Sequence, residues 1–368
     1  MEQRRKNLTQ LFIPICLETL LYMLSGMVDT LMLSSVNDQA VGAVGTANTY
    51  IGIFIIMFSV ISSGMVAVMT QNIGAGRPGV AYQARQLGLA FNAVLGIILS
   101  LILAFGAGTI LAGVGVADAL MQPARTYLQI VGGFCILNAL IPICSSYLRA
   151  FGFSKEPLYA SIIGNVINFC LNAFFLFVLH KGVAGVATAT VISRIINLVI
   201  VVMLGAVLVK AKQHPERESN REVMGQIIRI GLPSACETAI YNVSMTLVIR
   251  FLNQMDAQGL NVTARSYTMQ ITNFSYCVGA ALAQANAIMT GWRIGAKEYD
   301  ACDRGTRKAA IIGVIVAVIL ETMFALCSGW IMQLFSKDPQ MVSLVGKLLA
   351  IDIVLEMGRV TNLVYGQA

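Results

Sequence analysis

Apolar runs of twenty residues or more recur along almost the whole of this 368-residue chain, and they constrain the fold more than any single motif. Ten such segments can be drawn, at 9–33, 44–71, 84–109, 123–149, 157–179, 183–209, 226–253, 261–291, 306–333 and 341–366. About 20 consecutive apolar residues let an α-helix cross the ~30 Å hydrocarbon core of a bilayer. In hydrocarbon every backbone N–H and C=O must be satisfied within the spanning structure. The expected fold class is therefore an all-α polytopic membrane protein. Only 12% of the residues are charged, against ~25% in ordinary soluble domains. That figure excludes a soluble enzyme and a disordered tail, and the even spread of apolar runs excludes a single-span receptor. The basic opening MEQRRKNLTQ precedes an apolar run too long for a secretory leader and lacking a small-residue cleavage site. It is read as the start of the first permanent helix.

The net charge of +7 could suggest nucleic acid, but its distribution argues otherwise. Alternate loops, beginning with the N-terminus, carry 16 basic residues: Arg4, Arg5, Lys6, Arg77, Arg85, Arg149, Lys155, Lys210, Lys212, Arg217, Arg221, Arg293, Lys297, Arg304, Arg307 and Lys308. The intervening loops carry three, Arg125, Lys181 and Lys337. Cytoplasmic loops of membrane proteins are the Lys/Arg-rich ones. The N-terminus is expected in the cytoplasm and the protein in the cytoplasmic membrane, with lipid rather than nucleic acid around it.

Seven of the eight cysteines, all but Cys302, fall in apolar runs and are expected to be small buried hydrophobes. No CxxC pair points to zinc or a disulfide framework. The two histidines, His180 and His214, lie in loops, and HExxH, GxSxG and phosphate-binding glycine loops are missing. An enzyme is not expected, and no cofactor is implied. A channel would need a carbonyl filter or a charge ring, for which no repeat is visible.

The chain repeats itself. PICLETLLYMLS at 14–25 and PSACETAIYNVS at 233–244 share P-x-x-x-E-T-x-x-Y-x-x-S at an offset of 219. Pro14, Glu18, Thr19, Tyr22 and Ser25 pair with Pro233, Glu237, Thr238, Tyr241 and Ser244. A second match follows at an offset of 221, Ile73-Gly74-Ala75 with Ile294-Gly295-Ala296. The expected domains are a six-helix lobe at 1–209, a cytoplasmic linker at 210–225 and a second lobe at 226–368 holding only its first four helices. Six helices per half would make the halves parallel repeats, as in transporters that rock two bundles about a central site. Completing the second half would take roughly 430 residues, so ten of twelve helices are expected here and the C-terminus is read as incomplete.

An ionisable group inside a bilayer is costly and is a functional candidate by default. Asp29 in GMVDTLML has no counterpart in the second half, where Val248 stands. In a dry cavity its ionised form would be penalised, which suits it to exchanging a proton or a sodium ion. Glu18 and Glu237, the repeated pair, would line a cavity at matching depths or brace helices. Asn165, Asn168 and Asn172 share one helix face, as hard oxygen ligands or as interhelical amide glue. Glu356 and Arg359, three apart, would neutralise each other, while Glu321 and Arg194 each stand alone in their helices. The eighteen methionines read mainly as core.

Together MVDTLMLS, VMTQNIGAG, INFCLNAFFLF, GVAGVATATVIS, IGLPSACE and the terminal LEMGRVTNLVYGQA resemble the multidrug and toxic compound extrusion (MATE) family, along the whole chain. The resemblance implies twelve helices in two lobes and an antiporter exporting cationic or amphipathic small molecules against sodium or protons. It implies an ion-coupling set of Asp29, Asn168, Asn172 and Thr190, with Na+ at Asp29, Asn168 and Asn172. It implies a substrate cavity involving Glu237, Glu18, Tyr22, Tyr241 and Glu356. Some members carry aspartate where Asn172 stands, so one acid plus amides favours a sodium-type site here. A related architecture, a lipid or lipid-linked-sugar flippase, is the alternative; it would call for basic cavity residues. The expected state is a monomer.

Overall fold

The computed structural model describes residues 6–34, 38–113, 116, 118–209, 216–255, 260–333 and 338–368. Arg4, Arg5, Lys210, Lys212, His214 and Lys337 lie outside the described residues. Those described form helices and no strand. In chain order the helices are α1 (Leu8–Ser34), α2 (Asp38–Gly74), α3 (Pro78–Gly113), α4 (Asp118–Tyr127), α5 (Ile136–Ala150), α6 (Lys155–Ala173), α7 (Gly182–Leu208), α8 (Asn220–Met255), α9 (Leu260–Gly295), α10 (Tyr299–Leu326), α11 (Ser328–Met332) and α12 (Pro339–Gln367). Single π turns extend α4 over Leu128–Gly132 and α6 over Phe174–Val178.

By length and composition α1, α3, α7 and α10 can each cross a membrane, as can Lys155–Val178, and the bent pair Asp118–Gly132 with Ile136–Ala150 makes a sixth candidate. The other expected spans are helical too. α2, α8, α9 and α12 run 37, 36, 36 and 29 residues. At about 1.5 Å per residue even the shortest exceeds a ~30 Å core. α9 carries buried Thr and Asn, and α12 buried Asp and Glu. Outward lie large apolar side chains such as Phe105, Leu326, Trp330, Ile351 and Val354, as hydrocarbon surroundings allow.

The chain divides into two compact units, one built on Leu21–Ala235 and the other on Asn7–Leu20 with Cys236–Ala368. The first half of α1 thus belongs with the C-terminal helices and its second half with the N-terminal ones. Both α1 and α8 run unbroken past an internal proline, Pro14 and Pro233.

Unit 1 packs α2, α3, α5 and α7 about a core that includes Phe58, Leu103, Leu128, Val131 and Val186. The Asp118–Ala150 span bends by 43°. Its π turn lets Gly132 approach α3 so closely that a Cβ would meet Leu103 Cβ at 2.9 Å. The Ile136 N–H beyond the bend donates to Ser100 Oγ at 3.0 Å, so the break leaves no orphan donor there. Unit 2 packs α9, α10 and α12 against one another. Gly279 and Gly313 allow this: a Cβ would lie 2.9 Å and 2.7 Å from Val360 methyls.

The repeated Ile-Gly-Ala forms the same helix stop twice. After α2 the N–H groups of Ala75, Gly76 and Arg77 donate to the carbonyls of Gln71, Ile73 and Asn72 at 2.9, 3.1 and 2.8 Å. After α9 those of Ala296, Lys297 and Glu298 donate to Trp292, Ile294 and Arg293 at 3.0, 3.0 and 2.8 Å. This is a Schellman closure with a left-handed residue at its corner. That residue is Gly76 (φ +75°) in the first copy and Lys297 (φ +61°) in the second.

The cysteine expectation needs correcting. Cys135, Cys144 and Cys277 are buried, but Cys170 and Cys236 are exposed on helix surfaces and Cys327 in the turn between α10 and α11, where apolar surroundings would cover them. Their polarity is low enough for either place.

Candidate functional site

Residue spacing places Asn165, Asn168 and Asn172 on one face of α6, and the fold turns that face toward the second half of α1. Asn172 Nδ2 donates to Asp29 Oδ1 at 2.6 Å and to Asn168 Oδ1 at 3.2 Å. Asn165 Nδ2 reaches the Leu21 carbonyl at 3.5 Å, so the row is stitched to α1 along its length. Asn172 is fully buried, and its own Oδ1 has no hydrogen-bond partner among the described residues. The arrangement is one carboxylate, one buried amide oxygen without a donor, and a second amide oxygen, all hard ligands.

Around Asp29 lie Arg194 of α7, close enough to interact electrostatically, and buried Tyr127. Arg194 does not stand alone: its Nη1 donates to Asn138 Oδ1 on α5 at 2.9 Å. Thr190 is buried one turn before Arg194, but its hydroxyl donates to the Val186 carbonyl in its own helix at 2.9 Å. The structure thus joins Asp29, Asn168 and Asn172 directly and leaves Thr190 turned inward on α7.

The residues expected to line a cavity divide between the two units. Tyr22 belongs to unit 1 and is largely exposed, whereas Glu18, Glu237, Tyr241 and Glu356 belong to unit 2. Glu18 is half-buried and Glu237 is exposed, its Oε1 accepting from Asn362 Nδ2 at 3.1 Å.

Glu356 lies on the buried stripe of α12 formed by Met341, Val345, Leu349, Asp352, Glu356, Val360 and Val364. Its Oε2 accepts from Arg359, whose Nε lies 2.5 Å away, and Arg359 Nη2 approaches Asp352 Oδ2 at 3.9 Å. Here a sequence reading fails. Glu321 does not stand alone: ligand oxygens of Glu321, Asp352 and Glu356 lie within 4.8 Å of one another. The signal was present in part. Asp352, Glu356 and Val360 recur at helical spacing with apolar partners, so both acids had to face inward. That the last turns of α10 face the same stripe was not legible.

Known proteins carry the same pattern. The MatE family model matches residues 14–174 and 233–368, its two matches opening at Pro14 and Pro233, the residues aligned by the internal repeat. The uncharacterized transporter YisQ of Bacillus subtilis is 32% identical over 357 residues, covering 95% of this chain and 78% of the relative. The probable multidrug resistance protein NorM of Thermotoga maritima is 24% identical over 355 residues, covering 92% of this chain and 74% of the relative. Among solved structures, a crystal structure of MATE in the straight conformation superposes with a TM-score of 0.86 at 18% identity, over 98% of this chain and 82% of that one. An outward-facing multidrug resistance MATE transporter of the MOP superfamily does so with 0.86 at 17%, over 98% and 82%. The family match over both halves and the identity to YisQ along nearly the whole chain leave one conclusion: this chain belongs to the MATE family of multi-pass membrane transporters, of the bacterial kind.

Proposed function

We propose that the chain works as a sodium-coupled antiporter exporting cationic or amphipathic small molecules, with Asp29, Asn168 and Asn172 holding the coupling ion. The observation that carries this reading is the 2.6 Å hydrogen bond from Asn172 to Asp29, beside an amide oxygen that lacks a donor. A single carboxylate braced by two amides offers hard oxygens of the kind a sodium ion takes. A proton carrier would gain from a second acid at position 172, and asparagine stands there. Thr190 enters the ion's shell by a side-chain rotation that breaks its bond to Val186. Export of drug-like cations is supported by relatives named as probable multidrug resistance proteins. The N-terminus is placed in the cytoplasm of a cell whose plasma membrane carries the protein, and the homologous halves 1–209 and 226–368 alternate access. One charge moving down ~100 mV supplies about 2.3 kcal/mol, enough for a ~50-fold gradient of an uncharged substrate; for a monovalent cation exported one for one the voltage contributions cancel and the sodium gradient alone drives export.

The test is ethidium accumulation in cells expressing the chain, in sodium-containing and sodium-free buffer. Lowered accumulation that requires sodium and is lost in Asp29→Asn is expected. Lowered accumulation that persists without sodium would refute sodium coupling. Export unaltered by Asp29→Asn would refute the site.

A further inference from the structure

We propose that the basic end of α10 binds an anionic phospholipid, with its headgroup on Arg304, Arg307 and Lys308 and an acyl chain on Ile311, Ile315 and Ile319. At 3.6 residues per turn these six side chains fall on one face of the helix. All six are exposed, the isoleucines by 53, 53 and 62%. The helix also fixes their depth. Leu326, 82% exposed at the far end of α10, stands about 27 Å from Lys308 along the axis at about 1.5 Å per residue. The hydrocarbon core of a bilayer is about 30 Å thick. With Ile311 to Leu326 in hydrocarbon, the three cations lie at the headgroup level of one leaflet. Tyr299, 63% exposed at the start of α10, and Trp330, 71% exposed just beyond its end, suit the two interfaces.

Two observations point to an anion. The first is that the cations are unpaired. Among the described residues Arg304, Arg307 and Lys308 make no ion pair, although Asp300 and Asp303 stand one turn before Arg304 and Arg307. Arg304 and Lys308 are like charges four apart, a spacing that destabilises a helix. Arg293, in the last turn of α9, adds a further guanidinium: it lies against the α10 backbone at Gly305, where a Cβ would collide with it. A phosphate among these groups removes the repulsion and accepts their hydrogen bonds. The second observation is an internal control. The offset of 221 that aligns the two helix stops pairs Arg304, Arg307 and Lys308 with Gln83, Gln86 and Leu87 of α3. It pairs Ile315 and Ile319 with Val94 and Ile98, which are 60 and 49% exposed. The exposed apolar stripe recurs in both halves and the cations do not, so the helix pair packs without them. A topology signal alone would be served by cations anywhere in the loop. Here they share a face with the stripe, which selects a lipid over free phosphate.

The experiment is native mass spectrometry of the purified full chain in detergent, titrated with phosphatidylglycerol or with phosphatidylcholine of the same acyl chains. Each basic residue near an anionic lipid surface contributes a factor of about five, so one phosphatidylglycerol is expected to bind at least about tenfold more tightly than phosphatidylcholine. The triple variant Arg304→Gln, Arg307→Gln, Lys308→Gln should lose that preference. Arg304→Lys with Arg307→Lys, which keeps the charge, should retain it. So should Lys155→Gln, Arg217→Gln, Arg221→Gln, which removes the same charge from exposed positions of unit 1. Equal binding of the two lipids would overturn the proposal. So would an unchanged preference in the Arg304, Arg307 and Lys308 variant, an equal loss in the unit 1 control, or displacement of the lipid by inorganic phosphate at equal concentration.

Discussion

The substitution Gly313→Ala should destabilise unit 2, yet cease to do so once Val360 is shortened. An alanine Cβ at 313 would stand 2.7 Å from Val360 Cγ1 and 2.9 Å from Leu282 Cδ2, both side chains being buried. Carbon atoms pack best about 3.5–4.0 Å apart, so the methyl is about 1 Å too close on two sides. Extra methyl groups forced into a packed interior cost about 1–3 kcal/mol. Against this, alanine gains about 1 kcal/mol over glycine inside a helix. The net cost in the natural background is therefore about 0–2 kcal/mol, too broad to be diagnostic alone. The double-mutant cycle is sharper because the helix-propensity gain appears on both sides and cancels. In Val360→Ala the nearer clash is gone and the new methyl fills vacated space, so Gly313→Ala becomes neutral or stabilising. A coupling of about 1–2 kcal/mol is expected, within the range found for residues in contact. The assay is equilibrium unfolding in mixed detergent micelles, followed by circular dichroism. Additivity within about 0.5 kcal/mol would refute the packing argument. It would also weaken the account of the acid cluster, because this contact sets how near α10 brings Glu321 to Glu356.

Two further outcomes follow from the structure. Lys297→Gly should stabilise the chain by about 0.5–1 kcal/mol, because the left-handed corner after α9 strains a side-chain-bearing residue, and Gly76→Ala should destabilise by about 1 kcal/mol; the unfolding midpoints of the two variants check the opposite signs. Gln83→Ala should cost more than Arg77→Ala. The Gln83 side chain makes hydrogen bonds of 2.7 and 3.1 Å to the Glu218 backbone and 2.6 Å to Asn220 Oδ1, whereas Arg77 and Glu218 form a partly exposed ion pair. Losing the buried amide should cost about 1–3 kcal/mol and the ion pair under about 1 kcal/mol, measured as unfolding midpoints at low and high salt, with only the second shrinking in salt.

Much was legible without coordinates because it is local. Apolar run length fixed the helical, membrane-spanning class, since hydrocarbon leaves the backbone no other partner. The repeated Ile-Gly-Ala marked helix stops, and the second copy shows that the stop survives with Lys297 in place of a corner glycine, because three backbone hydrogen bonds hold the corner. The row Asn165, Asn168 and Asn172 was readable as one face, for 3.6 residues per turn decides that within the helix. Which faces meet was not readable. Asp29 and Asn172 are 143 positions apart, and only the docking of α6 on α1 joins them. Arg194 finds Asn138 in the same way, and Glu321 finds Asp352 and Glu356. The division of α1 between two units, at Leu20 and Leu21, also needed the tertiary structure. The reason is physical: periodicity sets a side chain's direction around its own axis, while close approach at Gly279 and Gly313 sets which turn of one helix lies opposite which turn of another.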